Sequence, residues 1–142
     1  AEPLHARWPL PGADVSTMDG WAVRAADLSP GPAPPHDPSA AASPDLSSGP
    51  AASLAALRVR GESAAGHPLA APLGPGEAAR ISTGAVLPPG ADAVVAQEDT
   101  TRRGDLLLID RARAGDVRPG HFVRRAGSDI EAGALLLSAG TA

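Results

Sequence analysis

The 142-residue chain carries 12 basic and 16 acidic side chains, a net charge of -4, so it has no broad basic field to neutralise a nucleic-acid backbone. It contains no cysteine, which excludes disulfides, thiolate metal sites and cysteine nucleophiles and suits a reducing cytoplasm. With only 2% aromatic residues the core must be built from Ala, Val, Leu and Ile, and no apolar run approaches the roughly 20 residues of a membrane span.

The length suits one domain over residues 1–142. The start, Ala1-Glu2-Pro3-Leu4-His5, has no signal-peptide pattern and no initiator Met, as expected of a chain that begins inside a longer protein. Met18-Asp19-Gly20-Trp21-Ala22-Val23-Arg24 reads as a turn feeding a strand, with Trp21 and Val23 alternating against Ala22 and Arg24 so that one face is buried. Residues 28–53 are dominated by Pro, Ala, Ser and Gly and read as a flexible insertion.

From Leu54 onward, short apolar runs alternate with turn signals. Leu57 and Val59 face one way and Arg58 and Arg60 the other, with Gly61 closing the strand. Glu77–Ile81 and Asp92–Ala96 are further strands, and Arg102-Arg103-Gly104 before Asp105–Ile109 predicts a hairpin. Phe122–Arg124 and Ala134–Leu137 complete the set. No helix longer than two turns is expected, because Pro interrupts the Ala-rich stretches. The fold expectation is mainly β, an irregular barrel-like or curled sheet.

Three stretches carry chemistry. Ser16-Thr17-Met18-Asp19-Gly20 places two hydroxyls and a carboxylate beside a glycine free to take positive φ; it presents Asp19 outward, or its side chains bond their own backbone. Arg80-Ile81-Ser82-Thr83-Gly84-Ala85 ends a strand in a turn whose amides could cradle an oxyanion, or is an ordinary strand end before the Pro-Gly reversal of residues 88–90. Arg124-Arg125-Ala126-Gly127-Ser128-Asp129 offers guanidinium forks for an anion, or a charged sheet edge; adjacent arginines on a strand face opposite ways. Glu98 and Glu62 are weaker candidates. His5, His36, His67 and His121 lack metal-ligand spacing, and no phosphate-binding or dinucleotide glycine loop is present.

In order and rough spacing, these stretches resemble the molybdopterin molybdenumtransferases, the family of MoeA and the gephyrin E domain. Ser16 to Arg24 is similar to the family's S-A-M-D-G-Y-A-V-R, and Glu62-Ser63-Ala64-Ala65-Gly66 to E-x-x-A-G. Arg80 to Val95 is similar to R-I-x-T-G-A-x-x-P-x-G-A-D-A-V-V, and Arg125 to Gly133 with Gly140-Thr141 to the closing R-x-G-E-D-I-x-x-G…G-T. The resemblance implies coiled, bifurcated β-sheets beside a separate α/β domain that binds molybdopterin, and a homodimer with the active cleft between subunits. It implies adenylylated molybdopterin and molybdate as substrates, Mg2+ as cofactor, AMP release, and molybdopterin adenylyltransferase as the pathway partner. By position, Asp19 and Thr83 would be catalytic, with Asp19 also on the metal; Ser16, Gly84, Arg125 and Asp129 would bind the cofactor. The loops bearing Asp19 and Thr83 should then converge on one rim.

The chain also departs from the pattern. Ala13, Asp14 and Val15 stand where the family often has Phe, Asp and Asn; Trp21 replaces Tyr; Ser128 replaces Glu. The chain ends at Ala142, before any α/β domain. Two functions follow as alternatives: part of the enzyme, or a non-catalytic dimerisation and interaction module derived from it, as gephyrin's scaffold role suggests. A generic ligand-binding β-barrel is a third.

Overall fold

The computed structural model describes residues 2–29 and 54–140. Its strands are β1 (Leu4–His5), β2 (Val15–Ser16), β3 (Gly20–Val23), β4 (Leu54–Ser63), β5 (Glu77–Ile81), β6 (Ala93–Ala96), β7 (Thr100–Arg103), β8 (Leu106–Asp110), β9 (Val123–Arg124) and β10 (Leu135–Leu137). Among the described residues the α-helical content is a single turn, α1 (Arg111–Ala114), whose first amides donate to the Asp110 carboxylate. No helix among them is long and apolar enough to cross a membrane. The mainly β expectation is met.

Six strands form one curled sheet in the order β6-β3-β5-β4-β8-β7. All pairings are antiparallel except β4 with β5. That parallel pair was not legible beforehand, because parallel strands need a long crossover and leave no local turn signal. Two small antiparallel ribbons, β1–β10 and β2–β9, tie distant parts of the chain together.

The curl creates an inner face. Trp21, Val23, Ala55, Leu57, Ala78, Ala93, Val95, Leu107 and Ile109 pack there in one cluster, joined by Leu28 and Val117. Cross-strand partners share a face, so alternation along each strand fills this interior. The outer face of β3, β5 and β6 is buried as well: Ala22, Ala79, Ile81 and Val94 pack with Leu73 and Ala85 under the loops that return across the sheet.

Three expectations are corrected. β3 buries all four of its residues, not one face, because loops cover its second side. Gly61 does not end its strand; β4 runs on to Ser63 through a register shift between Val59 and Gly61. Gly20 is a strand residue, not a positive-φ turn residue: a Cβ there would lie 2.0 Å from the Val95 carbonyl oxygen, so only glycine lets β6 approach. Of the segment read as an insertion, residues 30–53 lie outside the described residues, while Leu28 is buried in the inner cluster.

Candidate functional site

The turn between β2 and β3 is held by backbone bonds from two directions. Ser16 and the 82–85 loop exchange bonds, Ser16 N–H to the Ala85 carbonyl at 2.9 Å and Gly84 N–H to the Ser16 carbonyl at 2.8 Å. Thr17 N–H donates to the Phe122 carbonyl at 2.9 Å. Gly84 has φ +79°, a left-handed conformation that turns the chain so that its amide meets Ser16.

This frame brings Asp19 and Thr83 into direct contact. Asp19 Oδ1 accepts from the Thr83 amide at 2.8 Å and from the Thr83 hydroxyl at 3.0 Å. Both residues are exposed. The amide bond, then the hydroxyl bond, hold the Asp19 carboxyl below its ordinary 3.8, with a further contribution from the Arg80 charge. Asp19 Oδ2 has no hydrogen-bond partner among the described residues. The site is therefore an ionised carboxylate with one oxygen anchored and the other open. The expected convergence of the two loops on one rim is what the structure contains.

The other residues singled out are engaged inside the protein. The Ser16 side chain is buried, donates to the Met18 carbonyl at 2.6 Å and accepts from the Met18 amide at 3.2 Å. Gly84 has given its amide to Ser16. Of the two readings of residues 82–85, the ordinary turn is the one found: all four amides already have acceptors within the protein, in the order Ser63, Asp19, Ser16 and Ser82. The Thr83 hydroxyl has one proton and donates it to Asp19, which makes Thr83 a positioning residue.

Arg125 pairs with Asp14 at 2.7 Å, and Asp14 also accepts the Ala126 amide at 2.9 Å. That amide bond, with the Arg125 bond behind it, keeps the Asp14 carboxyl below 3.8. Asp129 pairs with Arg124 at 2.5 Å. The adjacent arginines thus take different carboxylates and fasten the segment after β9 in place.

Sequence reasoning named Arg80 only as the start of its stretch and gave its side chain no role. Its guanidinium donates to the Gly20 carbonyl at 3.0 Å and to Gln97 Oε1 at 2.9 Å, bracing the start of β3 just after Asp19. The available signal was a charge set between Ala79 and Ile81 in a buried strand. Among the described residues no group of three or more His, Asp or Glu is placed to hold a metal, and His36 lies outside them.

The chain and its fold are similar to known proteins. A family model described as the MoeA N-terminal region (domain I and II) matches residues 1–142. A molybdopterin molybdenumtransferase of Nostoc is 37% identical over 141 residues, covering 99% of this chain and 27% of the relative. One of Haemophilus influenzae is 31% identical over 140 residues, covering 99% and 28%. The solved structure of a molybdopterin biosynthesis MoeA protein from Pyrococcus horikoshii superposes with a TM-score of 0.77 at 36% identity, covering 99% of this chain and 30% of that one. The chain thus spans under a third of the length of these relatives.

Proposed function

Because the chain belongs to the family of MoeA N-terminal regions, we propose that it is the β-rich part of a molybdopterin molybdenumtransferase, acting in molybdenum cofactor biosynthesis. The substrates of that reaction are adenylylated molybdopterin and molybdate; AMP leaves and molybdenum remains on the dithiolene. The supporting observation is the Asp19 carboxylate, fixed by two bonds from Thr83 and open at Oδ2 on an exposed rim.

The donor set can be tested against magnesium. Hydrated magnesium keeps several waters and takes about one or two carboxylates. Asp19 offers one open carboxylate oxygen, so the residues fit the ion as one wall of a site completed by substrate phosphate or a neighbouring surface. When bound, the ion would neutralise charge on the adenylate phosphate. Asp19 would hold it through Oδ2 and orient the water shell, and Thr83 would keep the carboxylate aimed. An aspartate at its ordinary 3.8 is already charged at neutral pH, so the two Thr83 bonds matter for aim.

In the full-length protein, Asp19→Ala is expected to lower molybdenum insertion by about 100-fold, and Thr83→Ala by about tenfold, without loss of folding. Unchanged turnover in Asp19→Ala would remove Asp19 from the mechanism.

The homodimer, which the enzyme and the interaction readings share, is proposed to use the β1–β10 ribbon. The β1–β10 ribbon leaves Leu4, Leu135, Leu136 and Leu137 exposed, an apolar surface of the kind that marks contacts. Sedimentation of full-length Leu135→Ser/Leu137→Ser should show a weakened self-association; an unchanged dimer would clear this surface of the role.

A further inference from the structure

Next to the Asp19 turn, the inner face of the curled sheet carries charge where the rest of it is apolar. Arg80 of β5 lies opposite Trp21 of β3, and Arg102 of β7 lies opposite Leu107 of β8, whose side chain is in the inner cluster. Cross-strand partners share a face, so both arginines point inward. Their guanidinium carbons stand 5.7 and 5.9 Å from the centre of the same indole, Trp21, which is only 5% exposed. Around them is a groove of about 550 Å³, lined by Trp21, Val59, Gly61, Glu62, Arg80 and Arg102. That volume is in the range of small-molecule sites, which favour the mouths of curled β-sheets.

The bonds of these arginines are all to neutral acceptors. Arg80 donates to the Gly20 carbonyl and to Gln97, and Arg102 Nε donates to the Gly104 carbonyl at 2.8 Å. Neither makes an ion pair with a carboxylate among the described residues, although Glu62 lines the same groove. Among the described residues, the Arg102 hydrogen bond is made by Nε and not by its terminal nitrogens. An inward charge on an edge strand can serve to discourage sheet-to-sheet pairing, and that would account for Arg102 alone. It does not account for Arg80, on an interior strand, brought to the same ring. Attraction to the indole is weak at such partly exposed sites, and two like charges drawn to one ring repel each other. An anion between them turns that repulsion into attraction.

We propose that this groove binds a phosphate-bearing small molecule, with the phosphate held by Arg102 and Arg80 above Trp21 and a hydroxyl of the ligand donating to Glu62. Arginine forks match phosphate oxygens, and charge-assisted bonds of this kind are about twice as strong as neutral ones. Arg80 links the groove to the Asp19 turn through the Gly20 carbonyl, and a readout at Trp21 does not rely on the role given to Asp19.

The test uses the full-length protein labelled with 5-fluorotryptophan, the Trp21 fluorine signal being assigned by Trp21→Phe. Titration with ribose 5-phosphate should shift the Trp21 signal saturably, and inorganic phosphate should do so more weakly. Arg102→Gln should lower affinity at least about tenfold, and Arg103→Gln, which removes the same charge from the opposite face of β7, less than about twofold. Glu62→Gln should weaken ribose 5-phosphate and leave inorganic phosphate unchanged. A wild-type Trp21 signal that does not move, or equal losses in the two arginine variants, would overturn the proposal. The wild-type titration decides even where Arg102→Gln does not fold.

Discussion

Asp19 and Thr83 lie 64 positions apart in the chain, yet one carboxylate oxygen accepts both hydrogen bonds that Thr83 offers. The bonds favour the charged carboxylate, which lowers its pKa. A depressed folded-state value contributes stability that is present above the unfolded value near 3.8 and is lost as pH falls through the folded one. Thr83→Val removes the hydroxyl and keeps the amide, so the Asp19 carboxyl should move part of the way back towards 3.8, as carbon-detected NMR titration would show. At Gly20 the constraint is space. With the Val95 carbonyl oxygen 2.0 Å from a built Cβ, Gly20→Ala must push β3 and β6 apart, and it should cost about 3 kcal/mol in denaturant unfolding. A loss under about 0.5 kcal/mol would mean that the two strands part easily.

Among the elements, β8 shows alternation most plainly. Leu107 and Ile109 are fully buried, while Leu106 is 44% exposed. Leu107→Ala should therefore cost about 3 kcal/mol and Leu106→Ala under about 1 kcal/mol, measured as a shift of the urea midpoint at constant slope. The β2–β9 ribbon depends on a different device. Its two residue pairs are too few to stand alone. Asp14, just before β2, reaches the Ala126 amide and the Arg125 guanidinium just after β9. Arg125→Ala should raise the Asp14 carboxyl towards 3.8 without abolishing its shift, because the Ala126 amide is the larger cause. Full return to 3.8 would assign the effect to the arginine alone.

At the scale of the whole molecule, burial is uneven. The six-stranded sheet holds both apolar clusters, whereas the β1–β10 ribbon contributes exposed leucines. Local opening follows buried contacts, so amide exchange should be slowest in β3, β5 and β8 and fastest in β1 and β10. Uniform protection across the described residues would show that something covers the ribbon in solution. The same unevenness places Asp19: its turn sits where the β2–β9 ribbon and the 82–85 loop meet the main sheet, backed by a rigid core and facing outward.

The sequence by itself determined the strands with a two-residue apolar period, the β7–β8 hairpin and the two chemistry-bearing turns, because these depend on neighbours in the chain. The strand at residues 77–81 and the outward set of Arg58 and Arg60 were legible in that way. Tertiary structure alone decided the parallel β4–β5 pair, the second buried face of β3 and the use of Gly20 for a close approach. It also decided that the amides of residues 82–85 are filled and that Arg80 and Arg102 share one ring. Each of these depends on which distant backbone arrives at a surface. Hydrogen-bond and packing partners brought together by long-range folding leave no periodic trace along the chain.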